Sequence, residues 1–155
     1  MSNLIPKDLY SQILEHMPVP CVDFVLVQNG KVLLTYRTEE PAKDKWWIQG
    51  GRVYKNERLQ EAVLRLAERE IGTRNIRIIK QFGAYEFFSK TAPFGVKSGI
   101  HDIAIVFLAE PLEPNFLPHL DKTHKQFHWV DHIEKDLDPY VKKALEDSGV
   151  FEKHN

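Results

Sequence analysis

One carboxylate of this chain sits where a folded protein tolerates it least. The stretch from Gly50 to Gly72, GGRVYKNERLQEAVLRLAEREIG, reads as a glycine turn, a short charged loop and one helix. At about 100° per residue, Leu59, Ala62, Val63, Leu64, Leu66, Ala67 and Ile71 fall on one broad arc, with Glu61, Arg65 and Glu68 opposite. Glu70 lands inside the apolar arc, within about 20° of Leu59 and Val63. A carboxylate aimed at a core is costly unless it is paired or bound to a metal. Arg69, at the edge of the arc, offers a buried ion pair. The other reading is a cleft in which Glu70 binds a divalent cation, since Mg²⁺ takes one or two protein carboxylates and fills its shell with water and phosphate. The Gly50-Gly51 turn upstream favours the second reading, because glycines let backbone approach a phosphate or metal closely.

The rest of the chain supplies a sheet for this helix to cover. A first helix over about 6–18 starts at Pro6 and carries Leu9, Ile13 and Met17 as its stripe. CVDFVLVQ and KVLLTYR flank Asn29-Gly30, a strong hairpin signal. WWIQGGRVY reads as a third strand, Ile76–Phe88 and His101–Glu110 as two more, and a Gly/Ser/Lys loop joins the last two. PLEPNFLPHLDKTHKQ carries three prolines and forms no regular element. FHWVD alternates as a short strand, and DPYVKKALEDSG closes as a helix with Gly149 behind it. The pattern predicts an α+β fold, an α/β/α sandwich with a mixed sheet flanked by helices, as a single domain over 1–155.

Charge and composition exclude several classes of partner. With 21 Lys and Arg against 22 Asp and Glu the net charge is −1, which offers neither nucleic acid nor an anionic membrane a basic field. The longest apolar run, Ile103–Ala109, is too short to span a bilayer, and the N-terminus lacks the apolar core of a signal peptide. The single cysteine, Cys21, permits no disulfide within the chain and fits a reducing cytoplasm. Asp23 is an odd free carboxylate inside an apolar strand, and His124, in the proline-rich loop before Trp129, is a candidate proton acceptor from water. His119, His124 and His128 as a zinc set is disfavoured, because no cysteine accompanies them and His128 points from a strand.

At these residues the sequence resembles the Nudix hydrolases, whose signature is G-x5-E-x7-R-E-U-x-E-E-x-G-U, U being bulky and apolar. Over 51–73, Gly51, Glu57, Arg65, Glu70 and Gly72 hold their places, while Leu66 and Arg69 replace two acids. The depleted box is similar to that of the GDP-mannose mannosyl hydrolase branch, and LIPKDLY, VDF, LLTYR, PAKDKWWIQGGRV and THKQFHWV resemble that branch in order and spacing. The resemblance implies Mg²⁺ on the Gly50 carbonyl and Glu70, with Thr123 where the branch has a glutamine ligand and Gln49 where proline is usual. It implies His124 as general base, Arg37 and Arg52 on the diphosphate and Asp23 close to the sugar. Leu4, Ile5 and Tyr10 would reach the nucleotide across a homodimer interface. The implied activity is Mg²⁺-dependent hydrolysis of GDP-mannose or a related GDP-sugar to GDP and free sugar, by water attack at the anomeric carbon. The alternatives are a pyrophosphatase cutting within the diphosphate of a nucleotide sugar and a catalytically silent nucleotide-sugar-binding module.

Overall fold

Asn29 and Gly30 carry φ of 52° and 73°, the paired positive values of a two-residue hairpin turn. They join β1 (Val19–Gln28) to β2 (Lys31–Arg37) in the computed structural model, which describes residues 4–152. Only the turn end of this hairpin is paired, Val27 with Val32 and Gln28 with Lys31. Beyond it the two strands take different neighbours. β1 pairs from Cys21 to Phe24 with β4 (Gln49–Arg52), whereas β2 pairs with β3 (Trp46–Trp47) and β7 (His124–Val130). On the other side of β1 lies β6 (Ile100–Pro111), parallel to it, followed by antiparallel β5 (Ile76–Ser89). The result is one seven-stranded mixed sheet.

Side-chain alternation along β1 sends Val22, Phe24 and Leu26 to one face and Cys21 and Val25 to the other. On the first face α2 (Leu59–Ile71) buries Ala62, Val63, Leu66, Ala67 and Ile71 against those residues and Leu33 and Phe107. On the second, Leu14 of α1 (Lys7–His16) and Val141, Ala144 and Leu145 of α3 (Pro139–Ser148) join Val25, Val32, Leu34 and Val106. Each Val, Leu, Ile or Phe among them contributes roughly 1.5–3 kcal/mol of transfer free energy when fully buried, the alanines less. The α+β sandwich expected from the pattern is the architecture found. Among the described residues no helix is long and apolar enough to cross a membrane.

Four local expectations are corrected. The single strand WWIQGGRVY divides at Ile48, because its halves pair with different strands, β2 and β1. In α1 the packed face is the i, i+4 pair Tyr10 and Leu14, which leaves Leu9 and Met17 51% and 55% exposed. Leu59, at the first position of α2, is 36% exposed because the arc leaves the sheet at that end. β7 begins at His124 rather than Phe127, drawn in by the pairing of His124 with Arg37 across a bulge.

Candidate active site

The helix geometry delivers Glu70 as its period requires. The residue is 1% exposed, and its Oε2 accepts the Gly50 N–H at 3.2 Å. Its Oε1 accepts from Arg69 Nη2 at 3.0 Å. The ion pair weighed from the sequence is present, and the same residue forms part of a cavity wall. Burial holds its carboxyl above the ordinary range, with the nearby His124 and Arg69 drawing it back. The remaining acids of α2, Glu61 and Glu68, are exposed on the outer side.

His124 is not a solvated loop residue. Its side chain is 1% exposed, and Nε2 lies 3.8 Å from Glu70 Oε2. Nδ1 lies 2.7 Å from Asp121 Oδ1, which also accepts the Thr123 hydroxyl at 2.8 Å and the Thr123 N–H at 3.0 Å. A carboxylate only accepts, so the Asp121 contact assigns a proton to Nδ1, and in the neutral ring Nε2 then carries the lone pair. That nitrogen is buried and has no hydrogen-bond partner among the described residues. Thr123, expected as a possible replacement metal ligand, lines the cavity but commits its hydroxyl proton to Asp121.

The cavity encloses about 550 Å³. Arg37, Arg52, Arg69 and Lys122 give its wall a cationic stretch beside Glu70, Gly50 and Thr123. The Arg52 guanidinium sits over the rings of Tyr54 at 4.7 Å and Tyr10 at 5.6 Å. Arg37 Nε donates to the Pro41 carbonyl at 2.8 Å, pinning the loop that follows β2. Asp23 also lines the cavity, accepts the Tyr140 hydroxyl at 2.6 Å, and is pushed up to about 7 by burial. Leu4 and Tyr10 reach the cavity wall, whereas Ile5 is not part of it.

Gly50 separates Glu70 from Asp23. A Cβ there would lie 1.8 Å from Asp23 Oδ1 and 2.5 Å from the Val22 carbonyl oxygen, so only glycine fits. Behind the turn, Arg65 binds both oxygens of Glu57 at 2.6 and 2.9 Å and the Arg52 carbonyl at 2.9 Å. Its guanidinium lies 3.7 Å from the centre of the Tyr54 ring. Glu57 and Arg65 therefore brace the turn and do not line the cavity. The three histidines of the zinc reading are not brought together. His119 lies against Gly72, and His128 stacks on Trp46 at 4.0 Å.

Among the described residues no three His, Cys, Asp or Glu side chains converge to hold a metal ion. A cation here has to draw most of its ligands from backbone, water and bound phosphate, which is the ordinary habit of Mg²⁺. The Glu70 carboxylate suits that role: it is a hard donor in the cavity wall, with two of its about four lone-pair sites taken by Gly50 and Arg69.

Sequence reasoning missed Asp121, Asp102, Trp47 and Tyr140, all of which line the cavity. Asp121 stands three residues before His124, a spacing from which it was recoverable. Tyr140 had no local signal, because its partner Asp23 is 117 residues away.

The NUDIX domain family model matches residues 17–147. The low-salt glycan biosynthesis protein Agl8 of Haloferax volcanii is 32% identical over 142 residues, covering 92% of this chain and 89% of its own. Among solved structures, a MutT Nudix hydrolase from Burkholderia pseudomallei superposes with a TM-score of 0.69 at 24% identity, over 85% of this chain and 98% of its own. A MutT protein from Methanosarcina mazei Go1 does so with a TM-score of 0.68 at 24% identity, over 84% and 93%. The structural likenesses speak to the fold, while the family match spans the sheet, the box helix and the cavity-lining residues from Val19 onward. On that match, the chain belongs to the Nudix family.

Proposed function

We propose that this Nudix protein is a Mg²⁺-dependent hydrolase of GDP-mannose or a related GDP-sugar, releasing GDP and the free sugar by water attack at the anomeric carbon. The observation that carries the reading is the scarcity of acids that α2 presents to the cavity. Of the acids on α2, only Glu70 reaches the cavity, while a carboxylate-oriented histidine, buried behind the wall that Asp121 and Thr123 line, lies 3.8 Å from it. A single cation ligand suits assistance to a diphosphate leaving group better than it suits a multi-metal attack on phosphorus. The resemblance of the box and flanking segments to the mannosyl hydrolase branch supports the same choice.

In this reading Gly50 and Glu70 hold Mg²⁺, which supplies positive charge to the diphosphate when bound. Arg37 and Arg52 flank that diphosphate from the cationic stretch of wall and neutralise the charge that grows on it. His124 Nε2 takes the proton of the attacking water, and Asp121 holds the ring in the accepting tautomer. The water oxygen bonds to the anomeric carbon as the carbon–oxygen bond to phosphate breaks, and its electron pair leaves with GDP. One base opposite a stabilised leaving group gives inversion at that carbon. Leu4 and Tyr10, with Ile5, are assigned to the nucleotide. The exposed Leu9 on α1 and Met17 at its C-terminal cap suit a homodimer face. The whole chain acts as one Nudix unit in the cytoplasm.

Incubation with GDP-mannose and Mg²⁺, with both products identified, tests the proposal. GDP plus mannose is the expected pair. GMP plus mannose 1-phosphate would make the protein a pyrophosphatase. Tight Mg²⁺-dependent binding without turnover would make it a binding module.

A further inference from the structure

The cavity wall has a second stretch unlike its cationic one. Asp23 on β1 and Asp102 on β6 both line it, and β6 runs parallel to β1 so that Asp102 faces Val19 and Ala104 faces Cys21. Among the described residues neither carboxyl accepts a hydrogen bond from a cation, although Arg37 lies near enough to draw on both and His101 on Asp102. Asp23 accepts from the Tyr140 phenol at 2.6 Å, and Asp102 stands beside the Cys21 thiol. Each retains more acceptor sites than these neutral donors use. Two partly satisfied carboxyls in a desolvated wall are costly, and a ligand that brings donors removes the cost.

Three aromatic rings complete this part of the wall. Trp47 and Tyr140 stack at 5.4 Å with 3° between their planes. Phe87 meets them edge-on, at 5.1 Å from Trp47 and 5.4 Å from Tyr140. Flat apolar faces beside convergent acceptors suit a ring that is apolar on its faces and hydroxylated at its rim. Above about pH 7, where both carboxyls are ionised, the same acceptors repel an anionic substituent, Asp102 being the first of the two to carry its charge.

We infer that Asp102 is a specificity-determining residue which, with Asp23 and the Trp47–Phe87–Tyr140 wall, selects a neutral hexosyl group and rejects a uronosyl group. The inference rests on the GDP-sugar reading and narrows its sugar class. Hexose hydroxyls donate to Asp23 and Asp102 while the sugar face rests on the aromatic wall. A carboxylate at carbon 6 meets two acids in place of two acceptors.

The test is stopped-flow tryptophan fluorescence on the full chain with Mg²⁺, which reads binding before turnover, using GDP, GDP-mannose and GDP-mannuronate. The wild type binds GDP-mannose at least about tenfold more tightly than GDP-mannuronate, the scale of one hydrogen bond to a charged group. Asp102→Asn weakens GDP-mannose by about tenfold, leaves GDP unchanged and narrows the gap to GDP-mannuronate. Tyr140→Phe keeps the aromatic wall and frees Asp23 from its anchor. It shifts GDP-mannose in the same direction, again without moving GDP, and serves where Asp102→Asn does not fold. Equal weakening of GDP and GDP-mannose in both variants overturns the inference, since the residues would then only support the fold. Equal affinity of the wild type for the two sugar nucleotides, or for GDP and GDP-mannose, overturns it while leaving a nucleotide site. Failure to bind GDP at all overturns the parent reading and this one with it.

Discussion

Replacing Gly50 by alanine puts one methyl group where β1 already stands. The new carbon would lie 1.8 Å from Asp23 Oδ1, 2.7 Å from its Cγ and 2.5 Å from the Val22 carbonyl oxygen. Swinging Asp23 away relieves only the first two contacts, and it breaks the 2.6 Å bond from Tyr140. A hydrogen bond to a charged or buried partner is worth about 1.5–3 kcal/mol. The Val22 carbonyl belongs to the ladder between β1 and β4, so relieving that contact means moving backbone, an overpacking cost of about 1–3 kcal/mol. Together these predict a loss of about 2.5–6 kcal/mol, against a typical total stability of roughly 5–15 kcal/mol. Gly51 is the internal control. A Cβ there meets only the ends of flexible side chains, Leu66 Cδ2 at 3.0 Å and Arg69 Nη2 at 3.2 Å. Gly51→Ala is therefore expected to cost less than about 1 kcal/mol. Urea unfolding followed by tryptophan fluorescence compares the two, Trp47 being stacked on the Tyr140 that anchors Asp23. Equal stabilities for the two variants would refute the claim that Gly50 is the bare spacer between Asp23 and Glu70.

Three further outcomes follow from the geometry. His124→Ala and Asp121→Asn should each lower kcat by roughly 10²–10⁴-fold with GDP-sugar affinity retained; unchanged turnover in His124→Ala removes it as the base. Arg65→Lys loses the two-pronged grip on Glu57 and the Tyr54 stack, so denaturant unfolding should show a loss of about 1–3 kcal/mol; an undiminished midpoint argues against a bracing role. Asp23 and Asp102 are raised from 3.8 to about 7 and about 6 by burial, so between those limits the folded chain holds protons that the unfolded chain has released. Stability from this source is fully present below about pH 4 and lost as pH rises through 6 and 7, on the order of 4 kcal/mol for Asp23. Urea melts in EDTA across that window should decline more steeply for the wild type than for Asp23→Asn, and parallel slopes would contradict the raised carboxyl.

Local signals reached a long way here because several of them agree. Asn29-Gly30 forms its hairpin since both residues accept positive φ, and Glu70 points inward since the 3.6-residue period leaves it no other direction. Arg69, weighed from the sequence as its partner, is its partner. Features that depend on which strand neighbours which were not legible. The break at Ile48 exists because β1 and β2 part company, and no periodicity within Trp46–Arg52 carries that information. The buried state of His124 depends on a bulged pairing with β2, and the aromatic wall depends on α3 docking across β1. Asp102 read as one more residue at the head of a strand, yet the parallel register of β6 makes it part of the cavity.

The central claim is that the bond cut is the one between the sugar's anomeric carbon and oxygen. Turnover of GDP-mannose in H₂¹⁸O, with mass spectrometry of both products, tests it directly. The account predicts the label in free mannose and none in GDP; label in a phosphate of GMP or mannose 1-phosphate would contradict it.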